Sequence, residues 1–394
     1  MASGRTVRCL VWLLVTACAQ MQTAHSQSIP SQGRVPMVLQ GVHPVVEVRV
    51  KDETLRMVVD TGADQNVISA KAAAKLGLVP SSQTLPGRGA AGAFSAVPWV
   101  HLDTVAIGDV QLREQIAFIV PLPEEANADG VLGIPLFKDF VVTLDYAAGK
   151  LELEAPKRFR PAARLEALPL HLEAGKIFVK ASAAGVDGWY SLDTGAGNAV
   201  TMFTPTVERA HLRGSFGAAL SMVTGISPGG YTRGELVRVP EVRIGPHRFE
   251  RVIVELSLAD QGYFAHPLPD TQGNLGGELW RRFSMTIDLP SRRLYLRPNT
   301  LFAQPFAATR SGLVAQREAD SFKVIDVVAA TPAAGAGLIV GDSIVAIDGR
   351  EASTWTQSAF RDLLGGAPGT SIAFDVVGKD GRKRDVSLVL KDLL

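Results

Sequence analysis

From Val35 onward, hydrophobic and polar positions follow the period of short β-strands, and the same series of strands is written twice. Val45-Val-Glu-Val-Arg-Val50 runs or alternates apolar, Lys51-Asp-Glu53 is a turn, and residues 55–59 return as the second arm of a hairpin. Val67-Ile-Ser69 leads into residues 70–76, a short helix by propensity with Gly77 as its stop, and strands follow around 99–107 and 115–120. Gly130-Val-Leu-Gly133, Phe140-Val-Val-Thr-Leu-Asp145 and Leu151-Glu-Leu153 close the series. Residues 155–164, with two prolines and four basic residues, read as a linker. Leu168-Pro-Leu-His-Leu172, a turn at Ala174-Gly175, and strands at 177–181 and 189–192 then start the pattern again.

The repetition has a fixed register. Met57-Val-Val-Asp60-Thr-Gly-Ala63 and Tyr190-Ser-Leu-Asp193-Thr-Gly-Ala196 are near-copies 133 residues apart. Phe140, Thr143, Asp145, Leu151 and Leu153 match Phe283, Thr286, Asp288, Leu294 and Leu296 at a separation of 143, as Leu132-Gly133 matches Leu275-Gly276. The second copy therefore carries ten extra residues in its middle, and duplication of one β-rich domain accounts for the pattern better than chance likeness of strands. The expected fold is mainly β, with lobes at 35–154 and 165–298. From 306 to 394 the character changes to strands with two short helices, a separate α+β module of a size that folds alone.

Charge and cysteine content narrow the function classes. The 394-residue chain has a formal net charge of +1 and no long basic block, Arg382-Lys-Arg384 being a short solvated turn, so no nucleic-acid partner is expected. Arg5 and Arg8 precede the apolar run from Cys9 to Ala17, and a polar stretch follows, the layout of a secretory signal at 1–26. The run is too short to span a bilayer as a permanent helix. Val15-Thr-Ala-Cys18 resembles a bacterial lipobox, which would lipidate Cys18 and attach the protein to a membrane; the alternative is cleavage after Ala19 or Ser26. Both readings place the protein in a bacterial envelope, free in the periplasm or held at the outer membrane. Cys9 and Cys18 both lie in this segment, so the folded body needs no disulfide.

Each duplicated strand ends in Asp-Thr-Gly, where glycine is expected to supply unusual backbone angles and Asp and Thr to bond local backbone. Two carboxylates on matching turns of two lobes can meet across a pseudo-twofold axis. They then cannot both ionise cheaply and share a proton, so that one acts as base on a water and the other as acid on a carbonyl. Other constellations are missing: there is no H-E-x-x-H and no phosphate loop, and the seven histidines are scattered. No metal and no cofactor is expected. Asp145 and Asp288 read as turn residues.

The two Asp-Thr-Gly-Ala turns, with Val131-Leu-Gly133 and Leu275-Gly276 behind them (Asn274 weakening the hydrophobic position before the latter), resemble the retropepsin-like aspartic peptidases over residues 35–298. That resemblance implies a β-barrel lobe per motif, catalysis by Asp60 and Asp193, and support from Thr61, Gly62, Thr194 and Gly195, the threonines locking the turns together. It also implies glycine-rich flaps over a polypeptide substrate, placed at 87–94 (Gly89, Gly92, Phe94) and at 224–231 (Gly229, Tyr231). The tail resembles a PDZ domain of bacterial envelope proteases through Thr331-Pro-Ala-Ala-Gly-Ala-Gly-Leu338 and Val340-Gly-Asp-Ser-Ile-Val-Ala-Ile-Asp-Gly349. By that resemblance Gly312, Leu313 and Val314 form a loop that captures a peptide C-terminus.

An aspartic endopeptidase is the function these residues point to. The rival is a peptide-binding envelope adaptor that kept the fold and lost turnover. Pepsin-like enzymes usually follow Asp-Thr-Gly with Ser or Thr, and the alanines here remove a hydroxyl that would stabilise ionised carboxylates. The dyad is thus expected to titrate high and to work at weakly acidic to near-neutral pH. Replacing Ala63 and Ala196 by Ser should move the acid limb of the pH–rate profile downward, measured as kcat/KM against pH.

Overall fold

The computed structural model describes residues 32–122, 127–162, 165–227 and 230–394, with backbone alone at 93–95. The signal at 1–26, Cys18, Gly229 and the Phe94 side chain lie outside the described residues.

The first lobe opens with β1 (Gln32–Gln40), β2 (His43–Val50) and β3 (Glu53–Val59), an antiparallel run whose buried alternate positions build the core. After the first Asp-Thr-Gly turn come β4 (Asn66–Ile68) and helix α1 (Ala70–Lys75), whose N-terminus is capped by the Ser69 hydroxyl. A long hairpin follows, β5 (Thr84–Arg88) with β6 (Ala93–Ile107), then β7 (Val110–Ile119), β8 (Gly130–Leu132), α2 (Ile134–Asp139), β9 (Val141–Asp145) and β10 (Lys150–Glu154).

The second lobe repeats this plan: β11 (Ala167–Glu173), β12 (Lys176–Ala183), β13 (Val186–Leu192), β14 (Val200–Met202) and α3 (Thr204–Arg209). Its hairpin is β15 (Ala219–Ser227) with β16 (Gly230–Ile244), followed by β17 (His247–Ser257), α4 (Gly262–Ala265), β18 (Thr271–Leu275), α5 (Gly277–Trp280), β19 (Phe283–Asp288) and β20 (Arg293–Pro298). In each lobe the strand entering the Asp turn runs parallel to a short later strand, β3 with β8 and β13 with β18. The mainly β fold expected from the sequence is the one observed.

Register locates the ten extra residues. Val67 pairs Phe118 and its counterpart Val200 pairs Val254, a separation of 136 between the partners. Val58 pairs Val131 and Ser191 pairs Asn274, a separation of 143. Seven of the ten thus fall between β17 and β18, the segment that holds α4.

Six antiparallel strands tie the lobes together in the order β1, β10, β9, β19, β20, β11. At its centre Thr143 sits opposite Thr286, their hydroxyl oxygens 2.8 Å apart, so the pseudo-twofold axis passes between two copies of one residue. One hydrophobic core runs continuously through both lobes.

The third module has its own core under a sheet of β21 (Leu313–Arg317), β22 (Phe322–Val327), β23 (Ser343–Ile347), β25 (Ser371–Val377) and β26 (Lys383–Val389), with β24 (Arg350–Glu351) paired to β23. Helices α6 (Pro332–Gly335) and α7 (Gln357–Leu364) complete it, Phe322 stacking on Phe360 at 4.3 Å. Phe306, where the sequence opens this module, packs instead into the main core, its ring 3.7 Å from the buried Arg282 guanidinium. The module sits on the second hairpin: Val223 N–H donates to Asp326 at 2.6 Å, Arg233 pairs with Asp326 at 3.2 Å, and Leu220 and Met222 pack on Val328.

Candidate active site

Strands β3 and β13 each end at the axis and deliver Asp60 and Asp193 on facing turns. Four buried hydrogen bonds join the turns. Thr61 Oγ1 donates to Leu192 O and Thr194 Oγ1 to Val59 O, both at 2.7 Å, while each hydroxyl accepts the other threonine's N–H at 3.1 Å. Each hydroxyl is thus used as donor and acceptor together, and neither threonine has any exposure.

The glycines act differently from the sequence expectation. Neither Gly62 nor Gly195 has a positive φ. Their role is close approach: a Cβ on Gly62 would lie 2.5 Å from the Asp193 carboxyl carbon, and one on Gly195 would strike the Asp60 carboxyl. Each carboxyl therefore rests on the opposite lobe's glycine, which brings the two acids together.

The acids are held unequally. Asp193 Oδ1 accepts the N–H groups of Gly195 (2.9 Å) and Ala196 (3.0 Å), and its Oδ2 accepts Asn274 Nδ2 at 2.9 Å. Asp60 Oδ1 accepts the Gly62 N–H at 2.7 Å, and the Ala63 N–H turns to the Asp60 main-chain oxygen. Burial, then the charge of Asp193, push the Asp60 carboxyl up to about 7, against the opposing pull of the Gly62 N–H and of Lys176. Asn274 is the functional residue that sequence reading missed, since an amide in a hydrophobic slot reads there as a weakened repeat. It supplies to Asp193 a donor of the kind that Ala196 lacks.

Two basic residues flank the dyad at equivalent positions, His43 at the start of β2 and Lys176 at the start of β12. Lys176 Nζ donates to Gly62 O at 2.9 Å and lies 4.7 Å from the centre of the Tyr263 ring. His43 is kept below the ordinary imidazole range chiefly by burial. A small open pocket beside Asp193 is lined by Thr61, Gly62, Lys176, Tyr263 and Asn274 among others.

The hairpins differ from each other. The tip of β5–β6, bearing Gly89 and Gly92, reaches across to the second lobe: Tyr263 N–H donates to Gly89 O at 3.1 Å and Ala91 N–H to Ser227 Oγ at 3.0 Å. Gly262, at φ +72°, lies against Ala90 and Gly92, where any side chain would collide. Tyr231, which the resemblance assigns to substrate, turns instead to the third module and donates from its hydroxyl to Gln316 at 2.8 Å.

In the third module Gly312 has a φ of +70° and lies against Thr331, as a tight loop requires. Leu313 is buried, and its N–H donates to Ser311 Oγ at 3.1 Å. Along β21, Gln357 of α7 accepts from Arg317 N–H at 2.7 Å and donates to Ala315 O at 2.9 Å, occupying the positions that an added strand would bond. Val314 packs against the small apolar cluster shared with the second hairpin.

Residues 46–136 match the family model described as aspartyl protease, and residues 310–390 match the PDZ domain model. The chain carries an aspartyl protease family domain and a PDZ domain. The first match lies within the first lobe, to which strand register ties the second. The crystal structure of aspartic proteinase from Irpex lacteus is similar over 70% of this chain and 99% of that chain, at 16% identity and a TM-score of 0.47. Comparison with curated proteins gives no match.

An acid raised from its ordinary 3.8 to about 7 stabilises the fold while protonated, in full below about pH 4, and that contribution is lost as pH rises through about 7. Asp60→Asn carries no such loss. Relative to wild type it should gain about 2 kcal/mol or more between pH 4 and pH 8, since each tenfold change in proton affinity is worth about 1.4 kcal/mol. Denaturant or thermal unfolding at both pH values reads this difference.

Proposed function

We propose that the chain is an aspartic endopeptidase in which Asp60 and Asp193 activate a water between them and hydrolyse peptide bonds. The observation that carries this reading is the pair of interlocked turns, which holds two carboxyl groups against each other's glycines, a packing that pushes Asp60 up to about 7. The ionised carboxylate takes a proton from water as its oxygen attacks the scissile carbonyl carbon, and the protonated carboxyl gives its proton to the carbonyl oxygen. The resulting diol collapses with cleavage of the C–N bond. The first carboxyl then protonates the leaving nitrogen, a diol hydroxyl returns its proton to the second, and the dyad is restored.

The substrate lies under the β5–β6 hairpin, whose tip must lift from α4 to admit an extended chain. The PDZ domain binds a peptide C-terminus along β21, on the edge that Gln357 covers in this state. Export through the segment at 1–26 delivers the enzyme to a bacterial envelope, with Cys18 as its lipid anchor.

Purified wild type should cleave a denatured protein at weakly acidic to near-neutral pH, and Asp60→Asn and Asp193→Asn should each lose a hundred-fold or more in kcat/KM. Equal cleavage by all three proteins overturns the reading, and no cleavage by wild type overturns it in favour of the adaptor. Gln357→Ala should bind C-terminal peptides several-fold more tightly than wild type by fluorescence polarisation, because β21 no longer has to exchange an internal partner.

A further inference from the structure

The second lobe departs from the first at two positions that touch each other. Where β3 and β8 set Val58 beside Val131, β13 and β18 set Ser191 beside Asn274 at the same place in the repeat. Ser191 is 5% exposed and Asn274 2%. Two polar side chains buried in place of two valines cost stability unless every polar atom finds a partner. Here the partners form one chain of bonds. Ser191 Oγ donates to Asn274 Oδ1 at 2.5 Å, and Asn274 Nδ2 donates to Asp193 Oδ2 at 2.9 Å. The hydroxyl holds the oxygen end of the amide, so the N–H end faces the acid. A reversed amide would set its oxygen against a carboxylate oxygen, two acceptors with no hydrogen between them.

We propose, on the peptidase reading above, that Ser191 and Asn274 are a positioning pair that holds the negative charge of the dyad on Asp193 and leaves the shared proton on Asp60. Asp193 is then the base that takes the proton of water, and Asp60 the acid on the substrate carbonyl. Asp193 accepts three N–H donors and Asp60 one. Hydrogen bonds given to a carboxylate favour its charged form, so the extra donors set the order of ionisation.

The surrounding charges leave that order in place. Facing Asp193 are Asp60, His43 from β2 and Tyr263 from α4; facing Asp60 are Asp193 and Lys176 from β12. His43, lowered by burial, is neutral near pH 7 and lends Asp193 little charge, and Tyr263, raised by burial, is neutral too. Lys176 draws charge toward Asp60 and opposes the pair, yet burial and the charge of Asp193 outweigh it. A symmetric pair of turns has no reason to prefer one acid. A duplicated chain can write the preference into one lobe, and these two residues are where side chains write it, beside the main-chain N–H of Ala196.

The test rebuilds the first lobe's pair in the second with the double variant Ser191→Val/Asn274→Val, which removes the polar atoms together and leaves neither stranded. Aspartate carboxyls are followed by carbon NMR in 13C-labelled protein, with Asp60→Asn and Asp193→Asn used for assignment, and kcat/KM is measured against pH. The lower of the dyad's two titration steps and the acid limb of the profile should rise together by about one to two pH units. The reciprocal variant Val58→Ser/Val131→Asn gives Asp60 a matching donor and should lower the upper step and the alkaline limb, an independent reading should the first variant fail to fold. A folded variant whose titration steps and limb stay in place overturns the proposal and makes the pair structural only. Titration steps that move in a wild type and variant that cleave nothing would support the pair and refute the peptidase reading instead.

Discussion

The reciprocal bonding of Thr61 and Thr194 is the constraint on which the molecule depends. Both hydroxyls are fully buried and each completes a donor and an acceptor bond, so loss of either threonine strands groups in the other lobe. The bonds fix the separation of the turns. That separation forces glycine at 62 and 195, because the opposite carboxyl fills the place of a side chain. The same axis recurs at Thr143 and Thr286 in the six-stranded sheet below, so two independent sets of hydrogen bonds hold the lobes in one relation. Within so tight a frame two acids cannot both be charged, and the raised titration of Asp60 follows from packing more than from any special neighbour.

Around this symmetric centre nearly everything that is asymmetric belongs to the second lobe. It carries the Ser191–Asn274 pair, and the extra residues between β17 and β18 that include α4, which receives the first hairpin's tip. It also carries Glu255, buried and raised by desolvation, which accepts from Thr201 on β14, Asn198 beyond the Asp193 turn and Thr224 on the second hairpin. That carboxyl ties the hairpin's root to the turn of Asp193. The first lobe supplies the hairpin whose tip reaches across, and the second supplies α4 and Ser227, on which that tip rests.

What could be read in the sequence was whatever repeats or has a local cause. The Asp-Thr-Gly copies, the strand periods and the two separations are properties of the string, and the fold followed from them. Residues whose meaning comes from a distant partner were not legible. Asn274 looks like decay of a hydrophobic motif until β13 is laid beside β18 and Ser191 and Asp193 come within reach. The glycines of the turns suggest dihedral freedom, whereas the reason for them lies across the axis. Tyr231 sits in a hairpin whose composition suits a flap, and only the docked PDZ domain turns its hydroxyl away from the cleft.

The docking also decides which hairpin can open. On the second hairpin, Val223 and Arg233 bond Asp326, Tyr231 bonds Gln316, and Leu220 and Met222 are buried against Val328 beside Leu393 and Leu394. Lifting it would break these contacts and expose apolar surface, and Glu255 holds its root besides. The first hairpin is held at its tip by the bonds of Gly89 with Tyr263 and of Ala91 with Ser227, and by Arg88 on His266 O at 3.4 Å. Water can replace each of those polar contacts when the tip lifts, so the cost of opening is small there and large on the other side. Of the two hairpins the first is therefore the cheaper to lift, while the second is clamped to the PDZ domain.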